Sequence, residues 1–200
     1  MHTHNIHIDI LQETKFRQTH KTPAIKHYTP LRRDRRHGDG GGLITFIHHT
    51  IRYTDTTDIT QNLINPDTTV ETQSIRISTG HTQYINIINI YIPPDISPTV
   101  PRNNIPNIHQ LGNILYPLIV GDLNAKDTNC YDRHQKNTRG TYISTQFNMS
   151  ILNNAEQYTH IPHQAHYHII IPRHNFLFSN IRTNYHMANS KCTSLWPKKI

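Results

Sequence analysis

Short isoleucine-rich runs, each about one strand long and closed by polar or turn-forming residues, limit what this chain can fold into. The clearest are 6–11, 44–47, 84–92 and 114–120. β-branched residues in short bounded runs mark strands, and runs this apolar mark strands that are buried. Apolar residues make up only 34% of the 200-residue chain, a fraction that would favour disorder if it were spread evenly. Concentrated in strands, it is enough for one core, and the length fits one domain. Strands are predicted near 6–11, 43–48, 72–78, 84–92 and 115–121, with a proline-rich connection from Asp95 to Asn107. Helices are predicted around 108–113 and from Arg139 to Asn148, where Ile143 and Phe147 give a narrow apolar face.

The ends of these runs carry the chemistry. Ile114-Leu115-Tyr116-Pro117-Leu118-Ile119-Val120 leads into Gly121-Asp122-Leu123-Asn124-Ala125, so a strand would deliver Asp122 and Asn124 to the rim of a sheet, where α/β proteins bind ligands. Two residues apart on an extended segment, they point the same way. The carboxylate can bind a metal or hold a water, and the amide can grip a phosphate oxygen. A short acid-amide turn after a strand is also common simply as a turn. The run 6–11 alternates and then delivers Glu13, and the run 83–92 brings Tyr91 to its end, where Pro93 and Pro94 must break the ladder. Two acids and a tyrosine at three strand ends point to one shared site.

These segments, in this order, resemble the endonuclease domain at the front of reverse transcriptases from non-LTR retrotransposons, particularly the Jockey-like group of insects, within the endonuclease/exonuclease/phosphatase clan. The resemblance runs through Leu11-Gln12-Glu13-Thr14-Lys15, Tyr28, Arg32-Arg33-Asp34-Arg35, Gly40-Gly41-Gly42-Leu43 and the strand that follows. It continues through Asn89-Ile90-Tyr91-Ile92-Pro93-Pro94, Gly121-Asp122-Leu123-Asn124-Ala125-Lys126 and Arg139-Gly140. It implies an α/β fold, the two-sheet sandwich of that clan, and a metal-dependent endonuclease that hydrolyses a DNA phosphodiester to nick the target for reverse transcription. Glu13 would bind the divalent metal, normally Mg2+. Asp122 would orient or deprotonate the attacking water, Asn124 would hold the scissile phosphate, and Tyr91 would stabilise the charge that builds on it. A hard cation on oxygen ligands acts as a Lewis acid, and a nearby carboxylate supplies the base.

The chain also departs from the family pattern. Only twelve residues precede Glu13, so the family's first strand, its asparagine and the following helix are expected to be missing, and Asn5 lacks the context to replace that asparagine. The family's aspartate that supports a catalytic histidine is matched by Asn175, and no closing Ser-Asp-His follows. An amide hydrogen-bonds but cannot stabilise an imidazolium. Cys130-Tyr131 stands where the family has Trp-Gly, and Asp127 stands where it often has His. The expectation is a single partial domain over 1–200, truncated at both ends. The alternative reading is a catalytically dead remnant that acts at most as a weak nucleic-acid-binding module.

Charge is compatible with both readings. Twenty Lys and Arg against thirteen Asp and Glu give +7, which suits a polyanion partner such as DNA, although a modest basic excess is also common elsewhere. The cluster Arg32, Arg33, Arg35 and Arg36 is read as a loop facing the phosphate backbone, and with Lys126 and Arg139 it forms the expected nucleic-acid-binding set; it could also serve as a nuclear signal. Gly38 to Gly42 lacks the Lys-Ser/Thr ending of a nucleotide loop and reads as a turn into the next strand. His160, His163, His166 and His168 have spacings that could gather around zinc, but no cysteine or acid completes the set. Cys130 and Cys192 allow at most one disulfide and read as reduced thiols. No run reaches the roughly 18 apolar residues of a membrane helix, and an intracellular, nuclear setting beside a reverse transcriptase domain of a longer chain is the expectation.

Overall fold

The computed structural model describes residues 6–35, 40–64, 70–80, 83–94, 108–128, 136–146, 149–151 and 168–172. Strands β1 (Ile8–Leu11), β2 (Tyr28–Arg33) and β3 (Leu43–His48) form an antiparallel three-stranded sheet in the order β1-β3-β2. Strands β4 (Tyr53–Asp55), β5 (Glu71–Ser78), β6 (Tyr84–Tyr91), β7 (Pro117–Asp122), β8 (Met149–Ile151) and β9 (His168–Pro172) form a six-stranded sheet in the order β4-β5-β6-β7-β9-β8. Only β6 and β7 run parallel in it. A parallel pair needs a crossover rather than a hairpin, and α2 (Ile108–Leu111) lies in that crossover. Helix α1 (Thr57–Leu63) joins β4 to β5, and α3 (Thr138–Gln146) follows β7. This is the expected α/β sandwich of two sheets.

β6 shows how the sequence builds the layers. Its residues alternate between two buried faces. Ile88 and Ile90 join Ile119, Leu111, Ile108 and Ile143 in a core beneath the helices, while Ile87 joins Ile47 and Ile75 in a second core between the sheets, flanked by Ile8, Ile10 and Leu31. Ile88, Ile90, Ile108, Leu111 and Ile119 are fully buried, and each contributes roughly 1.5–3 kcal/mol relative to exposure.

Toward the C-terminal end of β6 the contact between the sheets changes from apolar to polar. Gln12 Nε2 donates to Asn89 Oδ1 at 2.6 Å, and Asn89 Nδ2 donates to the Leu11 carbonyl at 3.2 Å. Thr45 donates to Gln73 Oε1 at 2.6 Å, and Gln73 Nε2 reaches the Leu31 carbonyl at 3.0 Å. Gln12, Thr45, Gln73 and Asn89 are all buried. Hydrogen bonds are directional where hydrophobic contact is not, so this band fixes how one sheet sits on the other.

Several elements differ from the sequence expectation. The segment read as a loop at Arg32 and Arg33 is the end of β2, whose Pro30 obscures the strand signal; the strand is at a sheet edge among the described residues, where proline is tolerated. β7 starts at Pro117 because Tyr116 is left-handed, with φ 51°, and Leu115 is 63% exposed. α2 ends at Leu111, and Gly112 and Asn113 form a turn back onto it. Helix α1, with the sequence Thr-Asp-Ile-Thr-Gln-Asn-Leu, was not expected, because it has weak helix formers; it is held by Thr60, Thr56 and Thr57, whose hydroxyls bond Ser74. Strands β4, β8 and β9 were not expected either. The connection over 95–107, Phe147, Asn148, Arg36, His160, His163, His166, Asn175, Cys130 and Cys192 lie outside the described residues, and His168 opens β9.

Asn89→Leu leaves the Gln12 amide donor buried without its acceptor and is expected to cost about 1–3 kcal/mol, read as a lower urea midpoint. Combining Gln12→Leu with Asn89→Leu removes both polar groups and is expected to recover most of that loss. A double variant as unstable as the two singles summed would show that the pair is not the contact between the sheets.

Candidate active site

Three strand ends converge at one rim. β1 runs out at Leu11, β6 at Tyr91 and β7 at Asp122, and the register pairs Tyr91 with Asp122 across the parallel strands and with Glu71 across the antiparallel ones. Gly121 stands where any Cβ would strike the Ile90 backbone, so a glycine before Asp122 is what lets β7 lie this close to β6. The Tyr91 hydroxyl donates to Glu13 Oε1. Glu13 is exposed, while Tyr91 and Asp122 are buried. The structure therefore gathers Glu13, Tyr91 and Asp122 at one place.

Asn124 arrives differently from the sequence expectation. It is not on an extended segment: its φ is 45°, and its backbone N–H donates to Asp122 Oδ1 at 2.9 Å, an Asx turn. Its side-chain amide donates to the Ile92 carbonyl at 2.8 Å. Glu13 is also left-handed, with φ 51°, and so is Lys15, with φ 55°. The Thr14 and Lys15 N–H groups bond the carbonyls of Gly42 and Gly41 at 3.2 and 2.8 Å, which holds this turn. Non-glycine residues in this region cost about 1 kcal/mol or more each. Two of the four predicted site residues carry that strain.

The loop after β7 is set by Asn137, which the sequence reading did not single out. Its Oδ1 accepts from Lys126 N at 3.0 Å and Gly140 N at 2.7 Å, and its Nδ2 donates to the Asn124 carbonyl at 2.8 Å. An asparagine directly before a helix is the recognisable signal of a cap. Buried Arg139 adds donors to the carbonyls of Leu123 and Pro93 at 3.1 and 3.2 Å. Glu71 was also missed; it pairs with Arg35 and accepts from Gly42 N at 2.6 Å.

The predicted nucleic-acid-binding residues fall into two sets. Arg32 sits inside the protein's own network, bidentate to Asp34 at 2.6 and 2.7 Å, bonded to the carbonyls of His20 and Arg17, and 4.8 Å from the Phe16 ring centre. Arg33 donates to the Thr72 carbonyl, and Arg139 is buried as described. Arg35 reaches the rim: its guanidinium lies 5.6 Å from the Tyr91 ring centre while it pairs with Glu71. Lys126 is partly exposed beside Asn137, close enough for its charge to act on Asp122.

Burial pushes the Asp122 carboxyl up to about 6; the negative charge of Glu13 adds to this, and the Asn124 N–H, Arg139 and Lys126 oppose it. Burial, with the hydrogen bond to Glu13 after it, holds the Tyr91 hydroxyl well above its ordinary range. Tyr91 thus remains a donor across the physiological range. A buried carboxylate whose ionisation is opposed by burial and by a neighbouring negative charge favours a cation beside it. Among the described residues no group of three or more His, Cys, Asp or Glu able to hold a metal is found.

No protein-family model matches this chain, and no curated protein does. A solved structure does. The fold is that of a retrotransposon endonuclease domain. One similar structure is the endonuclease domain of TRAS1, a telomere-specific non-LTR retrotransposon, at a TM-score of 0.56 and 16% identity, covering 84% of this chain and 73% of that one. The likeness is one of fold, in keeping with the two-sheet α/β sandwich described above. Among the described residues no helix is long and apolar enough to cross a membrane.

Because Asp122 binds its proton more tightly when folded, it contributes stability that is full below pH 4 and lost as pH rises through about 6. In the absence of divalent cations, wild type is expected to lose up to about 2–3 kcal/mol from this group over that interval, and Asp122→Asn should not. Urea midpoints of the two proteins at pH 4 and pH 7 check this; parallel changes would mean that Asp122 ionises as freely as in the unfolded chain.

Proposed function

We propose that this chain is a metal-dependent, DNA-nicking domain of the retrotransposon endonuclease type, with Glu13, Asp122, Asn124 and Tyr91 in the roles the sequence resemblance implies. The observation that carries the reading is the Glu13–Tyr91 hydrogen bond beside buried Asp122. It joins strand ends from both sheets, which is how preorganised electrostatic catalysis is built. Glu13, with Asp122 behind it, would hold the cation. When bound, a divalent ion supplies Lewis-acid stabilisation to a phosphoryl oxygen.

Asp122 is suited to accept a proton from the attacking water, because its raised affinity brings it near the working pH of a general base. Tyr91, kept protonated, can turn its hydroxyl from Glu13 toward the phosphate, and Arg35 adds positive charge beside the ring. Asn124 offers its amide to the same phosphate once it leaves the Ile92 carbonyl. The substrate is double-stranded DNA, and the product is a nick whose 3′ hydroxyl primes a reverse transcriptase. The setting is a nucleus, and the parent chain is one that carries the polymerase.

That Asn124 already bonds the Ile92 carbonyl favours a second reading. In it the domain binds nucleic acid and does not cut. Nicking of supercoiled plasmid separates the two. With Mg2+ the wild type is expected to nick slowly, because Asn175 replaces an acid at a supporting position and loss of one stabilising group costs on the order of 10²–10³ in rate. Asp122→Ala should abolish the activity, and nicking that survives this substitution would remove Asp122 from the reaction. Independently of turnover, Mg2+ is expected to raise the melting temperature of the wild type through preferential binding to the folded state, and Glu13→Gln should cancel that rise.

A further inference from the structure

The end of the six-stranded sheet opposite the candidate active site holds a recess of about 330 Å³, lined by Arg52, Tyr53, Thr54, Arg76, Ser78, Gln83 and Tyr84. β6 runs eight residues from Tyr84 to Tyr91, so roughly 23 Å of extended strand separates the two places. Thr54, Arg76, Ser78 and Tyr84 share one face, because the register pairs Thr54 with Arg76 and Ser78 with Tyr84. None of the lining residues is acidic.

At the rim Arg35 pairs with the Glu71 carboxylate, whereas the lining of this recess holds no carboxylate. Arg76 is exposed, yet it is held in place: Nε donates to Asn86 Oδ1 at 3.1 Å, and the guanidinium lies 4.6 Å from the Tyr84 ring centre. Asn86 is buried and fixed in turn by its 2.6 Å bond to the Leu115 carbonyl. Tyr84 meets Tyr116 edge to face at 5.7 Å. Neither Arg52 nor Arg76 forms a salt bridge among the described residues. Arg76 thus presents its terminal nitrogens with little orientational freedom left to lose on binding.

We infer that this recess is a second nucleic-acid contact, which takes one phosphate and its nucleotide from a single-stranded polynucleotide. Two guanidiniums with no carboxylate recognise a phosphodiester. The hydroxyl of Thr54 and the amide of Gln83 supply neutral donors, and the stacked Arg76–Tyr84 pair offers a flat surface to a base. A single strand can swing one nucleotide into a concave site of this size, whereas the paired and stacked nucleotides of a duplex cannot enter it. The inference does not rest on the nicking reading, since it concerns different residues and needs no metal.

Fluorescence anisotropy with a labelled dodecathymidylate, its uridylate counterpart and a duplex of equal length, all without divalent cation, tests it on the full chain. Wild type is expected to bind both single strands, and the recess substitutions are expected to weaken these more than the duplex; a preference between the two single strands would identify the natural source. Arg52→Ala with Arg76→Ala should weaken that binding roughly tenfold or more and lower the salt slope by about 1.4, the value for two single-strand phosphates. Tyr84→Leu should weaken binding with the slope unchanged, and melting curves would confirm that each variant is folded. Single-strand binding is measured without metal and nicking with it, on the same wild-type protein, so a failed nicking assay and a failed recess are read separately. A folded double-arginine variant with unchanged single-strand affinity and slope would overturn the inference.

Discussion

The buried polar contact between the sheets is what the rest of the structure depends on. An interface of isoleucines alone would let one sheet slide or rotate on the other at little cost, because hydrophobic burial is not directional. Gln12 to Asn89 and Thr45 to Gln73 remove that freedom. Gln12 is the residue before Glu13 and Asn89 is two before Tyr91, so the same bond that aligns the sheets brings the Glu13 carboxylate to the Tyr91 hydroxyl. Stability and site geometry are coupled here through neighbouring residues.

Around that contact the backbone is bent by local means. Gly41 and Gly42 are left-handed, and a Cβ on either would meet the Arg35, Glu71 or Thr14 side chains, so their run serves close packing beneath the rim. Gly140 sits where a Cβ would enter the Lys126 backbone, which lets α3 press against the loop that carries Asn124. Strain at Glu13 and Asn124 is held by these neighbours. Such strain is tolerated where surrounding contacts over-determine the conformation, and it commonly gathers at functional positions.

The strands that were legible in the sequence are those buried on both faces or closed by clear punctuation. Leu43–His48 and Tyr84–Tyr91 read directly as apolar runs, and the acids and tyrosine at the run ends were visible as candidates for one rim. β2 was hidden by Pro30 and its arginines, and α1 by its threonines. In both, tertiary contact overrides a weak local preference: β2 pairs with β3 along its whole length, and α1 is fastened to Ser74. The arginine cluster was read by charge alone, which cannot tell a guanidinium facing solvent from one bonded to nearby carbonyls. Arg32 is of the second kind.

The sequence by itself determined the class of fold and the chemical types available at the strand ends, because hydrophobic period and turn residues act over a few neighbours. Only the tertiary structure decided which of those groups meet. Glu13 and Tyr91 are joined across 78 positions of chain, Asp122 has its proton affinity raised by burial that no local pattern reports, and Arg76 is fixed by Asn86 and Tyr84 on the neighbouring strand. Each of these depends on strand register and on how two sheets pack, and both are set by contacts between segments far apart in the chain.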